Sequence, residues 1–520
     1  MSNKFYITTP IYYVNDNPHI GHTYTTVASD VLARFHRMLS QEVFFSTGTD
    51  EHGAKIQEKA NEAGKDPKVW ADEISANFQF AWDELDISHD RFIRTTEEGH
   101  KQAVQKALQQ MYDKGDIYLG EYEGLYCQGC EQYKSETDLV DGKCPDHGVE
   151  PEVIKEESYM FKMSGYQDRL YEAIKRDELE IRPVERKNEV LSFYEREGLK
   201  DISFSRQKVK WGIPLPWDES HTAYVWSDAF LNYLTVLGWE GTAGQTPEMW
   251  PAEIQIMSKD ILRVHATIWP AMLLSLGLDL PKKLFIHGFF LVDGQKMSKS
   301  LGNVVTPAAL KEKYGVDGAR ALLIGSASFG YDGDVSWEKL GERFNAQLAN
   351  GIGNLVSRVL SLTEKNLDSK VPEVDIKECG EMTLRQEKKK KGGDDFLKLS
   401  AQVKESYLAK MEKLELDEAW EEIIRLTGHL DKHISDFELW KLIKEDKEEG
   451  ARHIYSLLES IRQLAWLAWP FIPETAEKIW VSLGLDPGEE MSQDFNKALN
   501  WGGLKSGTLV HKGEPLFPRL

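Results

Sequence analysis

The stretch Pro18-His19-Ile20-Gly21-His22, set between a short apolar run and a helical pattern, constrains this chain more than any other feature. Before it, Phe5-Tyr6-Ile7-Thr8 is β-branched and aromatic, which predicts a strand. After it, Tyr24, Val27, Ala28, Val31, Leu32 and Phe35 recur at helical spacing, which predicts an amphipathic helix. Strand, tight turn and helix make the first half of a nucleotide-binding α/β unit. The N-terminus of such a helix offers N–H groups and a positive dipole end to phosphates. Gly21 lets backbone approach a ligand closely, and the two imidazoles add hydrogen-bond donors. Neither the glycine-rich dinucleotide fingerprint nor a Walker loop is present, so side chains must hold the phosphates. Taken alone, the stretch also reads as two histidines on a polar turn.

A second stretch narrows the choice. Lys296-Met297-Ser298-Lys299-Ser300 follows the apolar run Leu284–Phe290 and the turn Asp293-Gly294. Two lysines three apart, on a polar loop just past a predicted strand, suit a mobile clamp on a triphosphate. Alone they also fit a solvated basic turn.

A chain of 520 residues, 41% apolar and 28% charged, should hold two or three domains with sizeable cores. No run approaches the roughly eighteen uncharged apolar residues of a membrane span. The first predicted strand begins so early that no targeting segment is expected, which points to the cytoplasm. The net charge of −22 argues against indiscriminate nucleic-acid binding, so any nucleic-acid contact must use local basic patches.

Three of the four cysteines lie close together. Cys127-Gln128-Gly129-Cys130, then Cys144-Pro145-Asp146-His147, gives two knuckles and four soft ligands, enough to close a tetrahedral shell. An odd count and a reducing compartment disfavour disulfides. The spacing predicts structural Zn2+, with no coordination position left for catalysis. Cys379, in a polar stretch, reads as an ordinary thiol.

A second strand, Glu42 to Phe45, ends in the polar cluster Ser46 to Gly53, where open α/β sheets bind ligands. Asp50 there suits an ammonium partner or, equally, an N-cap for the next helix. Ala223 to Trp226 reads as a strand, and so does Ile254 to Met257. The helix after the latter aligns Ile261, His265, Ile268, Trp269, Met272 and Leu276 on one face. Beyond residue 345 the periodicity is helical throughout. The lysine run Lys388 to Lys391 reads as a solvated loop or helix end.

With both motifs in this order, the chain resembles the class I aminoacyl-tRNA synthetases, and within them the methionyl-tRNA synthetases, over nearly its whole length. Tyr6 to Asn15, Thr47 to Gly53, Tyr224 to Tyr233 and Lys259 to His265 carry the closer resemblance, as does the single Cys3His knuckle pair of one bacterial branch. Leucyl, isoleucyl and valyl enzymes share the motifs but carry a large editing domain and are much longer.

The resemblance implies an α/β fold, with a Rossmann-type parallel sheet split by a zinc-binding insert and followed by an all-α anticodon-binding bundle. Its parts are expected at 1–115 (first catalytic half), 116–225 (insert with zinc knuckle), 226–290 (second half), 291–345 (lysine loop and stem contact) and 346–520 (bundle). It implies ATP binding by His19, Gly21, His22, Lys296, Ser298 and Lys299, with His19, His22, Lys296 and Lys299 catalytic. Pro10, Ile11, Tyr13, Trp226, Ala229, Tyr233, Ile261 and His265 would form a methionine pocket, with Asp50 on the α-ammonium. A thioether favours aromatic edges and faces, so the composition suits it. Mg2+ would accompany ATP, and Zn2+ would sit on Cys127, Cys130, Cys144 and His147.

Asn354 and Arg358, four apart on one helix face, would read the anticodon, and Trp440 would stack on a base. Leu439 stands where the family commonly has proline, and Trp440 also fits a core position. The implied reaction is methionine activation by ATP, then transfer to tRNA(Met), initiator tRNA included. The expected state is a cytoplasmic monomer. Two rival readings remain, a class I synthetase for another amino acid and a non-catalytic tRNA-binding paralogue. A small nucleotidyltransferase would lack both the zinc insert and the bundle.

Overall fold

The computed structural model describes residues 3–127, 132–134, 139–145, 148–292, 294–296, 305–384 and 395–520. They form two compact units. One comprises Met1–Pro18, Val43–Asp83 and Ser88–His287; the other comprises His19–Glu42, Glu84–Ile87 and Gly288–Leu520.

The first unit is built on a six-stranded sheet. Its order is Arg91–Arg94, Glu42–Asp50, Lys4–Tyr13, Ile254–Ser258, Lys283–His287, Glu180–Arg182. Lys4–Tyr13 pairs in parallel with Ile254–Ser258, which pairs in parallel with Lys283–His287. The chain therefore lays strands to one side of Lys4–Tyr13 first and to the other side later. The gap between Lys4–Tyr13 and Ile254–Ser258 is the switch point, where such a sheet opens a crevice at its carboxyl edge. Tyr6 and Ile7 are wholly buried, as central parallel strands covered on both faces require. This is a Rossmann-type sheet.

Between its halves runs a four-stranded antiparallel sheet, ordered Gln132–Lys134, Ile117–Cys127, Glu152–Phe161, Ile202–Ser203. The edge strand Glu180–Arg182 also comes from the 116–225 stretch and joins the main sheet beside Lys283–Phe285.

Two local readings change. The strand before Trp226 stops at Ala223, and Val225–Ala229 is helical with Tyr224 as its N-cap. Short apolar runs suit either state, and tertiary packing chose the helix. The single helix expected from Ile261 to Leu276 is two helices, Leu262–Ala266 and Ile268–Ser275, broken at Thr267. Pro270 explains the break, because it has no N–H to give the Ala266 carbonyl four residues back. The Tyr194 hydroxyl donates to that carbonyl instead, at 2.8 Å.

The second unit contains the helix Ile20–Met38, buried on nearly every face instead of one. A small sheet sets Phe290–Val292 between Gln295–Lys296 and Gly333–Val335, and the helix Pro307–Gly325 follows in sequence. Beyond it the unit is helical. A π-helical stretch, Phe344–Gly353, runs straight into Asn354–Asn366, and Lys447–Ala468 is a central helix buried along most of its length. Cys379 is buried beside Ser456, whose hydroxyl donates to its carbonyl at 2.9 Å, and burial pushes its thiol up to about 11. It is an inert core thiol and not a surface one. Lys388 to Lys391 lie outside the described residues.

Candidate active site

In the first unit, three adjacent strands carry predicted amino-acid-site residues at or just past their carboxyl ends. Lys4–Tyr13 ends with Pro10, Ile11 and Tyr13, all half-buried, and Glu42–Asp50 ends with the buried Asp50. Past Ile254–Ser258 come Ile261 and His265. Thr9 donates to Thr47 at 2.8 Å, and the Val14 N–H donates to the Asp50 carbonyl at 3.1 Å, which binds the first two strand ends together. Asp50 does not cap the next helix: Ala54–Glu62 starts at Gly53 without a side-chain cap.

Ile11, Tyr13, Trp226 and Ile261 pack on one apolar cluster that includes Phe230 and Tyr233. His265 stands at its polar centre, almost wholly buried. Its Nδ1 lies 2.9 Å from the Ile261 carbonyl, one helical turn back, and its Nε2 lies 2.9 Å from the Tyr233 hydroxyl. A carbonyl can only accept, so Nδ1 carries the proton and Nε2 accepts from Tyr233. Burial holds His265 down at about 4 against the weaker pull of the Ile261 carbonyl, so the ring stays neutral at physiological pH. Burial, with Tyr6 and Tyr12 nearby, raises the Tyr233 phenol well above its ordinary range.

Rings enclose the imidazole. Trp226 meets it edge-on at 6.2 Å, and Phe230 does so at 4.9 Å. The structure thus brings Trp226, Tyr233 and His265 together, with Ala229 buried on the same helical turn as Trp226. Phe230 is an addition that the sequence reading missed; its spacing of four from Trp226 is the signal that could have found it. A slot of neutral rings and one neutral imidazole suits an uncharged, polarizable side chain and penalises a charged one.

In the second unit, the His19–His22 turn is a reciprocal cap on the helix Ile20–Met38. The Gly21 N–H donates to His19 Nδ1 at 3.1 Å, and the His19 N–H donates to His22 Nδ1 at 3.4 Å. The two rings stack at 3.9 Å. Because both Nδ1 atoms accept, each neutral ring carries its proton on Nε2, as a donor. Desolvation, then the neighbouring His19, holds His22 well below the ordinary histidine range. Gly21 has a packing reason here: a Cβ would lie 3.0 Å from the His19 ring. Lys296 closes the strand Gln295–Lys296, whereas Ser298 and Lys299 lie outside the described residues.

Of the four predicted zinc ligands, Cys127 ends a strand, and both it and Cys144 are wholly buried. The Cys144 N–H donates to the Val149 carbonyl, and its own carbonyl accepts from Gly148 at 2.7 Å. Cys130 and His147 lie outside the described residues, and among the described residues no metal-binding cluster forms.

In the helical part, Asn354 and Arg358 are half-buried on Asn354–Asn366, which packs against Leu439–Glu445, the helix of Trp440. Arg358 is paired with Asp431 and donates to the Ser435 hydroxyl at 3.4 Å. Trp440 is 41% exposed, so it is not a core residue; Leu439 takes the core position beside it.

Comparison with known proteins agrees with this geometry. The family model for tRNA synthetases class I (M) matches residues 5–150 and 135–360. The model for the anticodon binding domain of methionyl tRNA ligase matches residues 388–520. The methionine–tRNA ligase of Clostridium acetobutylicum is 44% identical over 523 residues, covering 99% of this chain and 78% of that protein. The one from Streptomyces coelicolor is 40% identical over 534 residues, covering 100% of this chain and 97% of that protein. Among solved structures, Mycobacterium tuberculosis methionyl-tRNA synthetase in complex with methionyl-adenylate superposes with a TM-score of 0.90 at 36% identity, covering 100% of both chains. Catalytic sheet, helical bundle and full-length identity therefore agree: the chain belongs to the methionine-specific class I tRNA synthetases.

Proposed function

We propose that this chain activates L-methionine with ATP, releasing pyrophosphate, and transfers the methionyl group from the adenylate to the 3′ end of tRNA(Met). The observation that carries this reading is the neutral ring-lined slot around His265, whose proton is committed to the Ile261 carbonyl and whose acceptor is taken by Tyr233. Support also comes from the relative that was solved with methionyl-adenylate.

In this reading Pro10, Ile11, Tyr13, Trp226, Ala229, Tyr233, Ile261 and His265 receive the methionine side chain, and the Asp50 carboxylate holds its ammonium group. The substrate carboxylate attacks the α-phosphate. His19 and His22 direct Nε2–H donors to the phosphates, with Gly21 between them, while Lys296 and Lys299, with Ser298, stabilise charge on the departing pyrophosphate. Mg2+ bound to ATP would supply charge neutralisation at the phosphates. Catalysis is positioning and charge stabilisation; no protein nucleophile is assigned.

The bundle is assigned to the tRNA anticodon, through Asn354, Arg358 and the exposed Trp440, for elongator and initiator tRNA alike. The parts proposed are catalytic halves at 1–115 and 226–290, an insert at 116–225, a lysine-loop region at 291–345 and the bundle at 346–520. The chain is assigned as a cytoplasmic monomer; no helix among the described residues is long and apolar enough to cross a membrane.

Amino-acid-dependent ATP–pyrophosphate exchange, run with each of the twenty amino acids, tests the reading. Strong exchange is expected with methionine alone. Exchange with another amino acid would overturn the pocket assignment, and none at all would favour the non-catalytic paralogue.

One structural Zn2+ is assigned to Cys127, Cys130, Cys144 and His147. The two described thiols suit such an ion in chemistry, since both are soft ligands and both are buried. Elemental analysis of the purified chain should find one zinc, lost in Cys144→Ser. A zinc-free chain that keeps its melting temperature would refute the site.

A further inference from the structure

Close behind the amino-acid slot lies a buried cluster that the reaction does not use. Asp228 sits on the turn Val225–Ala229, between Trp226 and Ala229. Each of its carboxylate oxygens has its own imidazole partner. His52 Nδ1 lies 2.7 Å from Oδ2, and His100 Nε2 lies 2.8 Å from Oδ1. All three side chains are buried. Burial pushes the Asp228 carboxyl up, and the two histidines more than offset it, holding it down at about 2. The carboxylate is therefore an acceptor with both rings donating to it.

The placement of the partners matters more than their number. His52 follows Asp50 by two residues, at the end of the second strand. His100 lies on the helix Glu98–Asp113, and its other nitrogen, Nδ1, lies 2.8 Å from the Thr235 hydroxyl. Thr235 closes the short helix Asn232–Thr235 that carries Tyr233. One imidazole thus clasps both helical turns of the slot, and the other ties them to the strand end bearing Asp50.

We propose that Asp228 is a positioning residue for methionine, locking the Asp50 strand end to the turns of Trp226, Ala229 and Tyr233 through His52 and His100. The role rests on the function proposed above. An amino acid is held at two points, its ammonium group and its side chain, and the match is only as sharp as the distance between those points is fixed. Hydrogen bonds between buried, partly charged groups hold that distance better than apolar contact, because they lose strength steeply with displacement and angle. Neither histidine needs to touch the substrate.

The test compares variants of the full chain in pyrophosphate exchange. In Asp228→Asn the amide can accept from only one imidazole and turns its own N–H toward the other, so one clasp opens. The KM for methionine should then rise about tenfold or more, with the KM for ATP held within about twofold, because only the amino-acid contacts are displaced. Norleucine should also compete better against methionine. A purely structural role would lower stability and active fraction without separating the two KM values.

His100→Asn and His100→Gln provide a second pair, which decides the matter if Asp228→Asn does not fold. The Asn amide reaches the Thr235 position but not Asp228; the Gln amide nitrogen reaches the Nε2 position and can still donate to Asp228. The Asn variant should raise the methionine KM and the Gln variant should restore it toward the parent value. Equal methionine KM values in parent, Asn and Gln chains, or equal shifts in both substrates' KM, would overturn the role. A parent chain inactive with methionine would overturn the function itself, and this role with it.

Discussion

Replacing His22 with Asn should lower the kcat of adenylation by about 10²–10³, the loss expected when one preorganised donor facing developing charge is removed. The choice of Asn follows from the cap. Its Oδ1 takes the place of Nδ1 and still accepts the His19 N–H, so the helix start survives while the Nε2 donor is lost. His22→Gln is the converse. It keeps a donor near the Nε2 position and loses the cap acceptor, which costs about 1 kcal/mol of stability with activity nearer the parent. Measuring kcat by pyrophosphate exchange and melting temperature on the same samples separates the two roles. An Asn variant with the parent's kcat would remove His22 from the chemistry. Desolvation and the adjacent His19 ring hold His22 well below the usual histidine range. Its neutral donor form therefore persists as pH falls through 6.5, and the adenylation rate should have no acid limb from this residue near that value.

The largest stability effect is expected at Arg320, a guanidinium with no solvent exposure inside the second unit. Its Nη2 donates to Asp30 at 2.6 Å and to the Pro470 carbonyl at 3.1 Å, its Nε to the Phe471 carbonyl at 3.0 Å, and its Nη1 to the Leu85 carbonyl at 3.2 Å. Asp30, equally buried, also accepts from Arg34 Nε at 2.7 Å, and Arg34 stacks over Trp469. Arg320→Met keeps roughly the volume but strands three carbonyls and half of the Asp30 charge. Breaking a buried pair from one side costs about 3–5 kcal/mol, a large part of the roughly 5–15 kcal/mol that holds a domain folded. Urea unfolding should record that drop. A loss below about 1 kcal/mol, the worth of an exposed pair, would mean that the network is not load-sharing. Adding Asp30→Leu to Arg320→Met should recover little of the loss, because it also takes the acceptor from Nε of the buried Arg34, leaving that side chain its pair with Asp86.

The same network indicates what a reading of the residues alone can reach. Asp30 stands on a helix whose N-terminal motif was legible as a phosphate-facing turn, yet a helix of even apolar spacing would not be expected to bury an aspartate in mid-course. Its partner is 290 residues away in sequence, and pairings at that separation leave no local periodicity. Asp228 is similar. It reads as a polar residue between two ring positions, and its meaning depends on histidines from the second strand's end and from Glu98–Asp113. Trp440 had two readings that chemistry could not separate, and only its 41% exposure removes the core one. The Thr267 break was written in Pro270, a proline inside a helical pattern, although the hydroxyl that satisfies the vacated carbonyl was not.

By itself, then, the chain's sequence determined the strand-turn-helix with its two histidines, the parallel α/β character and the helical C-terminal third. Each depends on neighbours within a few turns, where spacing and side-chain type already decide the chemistry. Tertiary structure alone decided which strands flank the switch point, which tautomers His19, His22 and His265 hold, and which buried charges meet. Those outcomes follow from desolvation and from partners brought in across the fold, and a buried charge is tolerable only where such partners arrive.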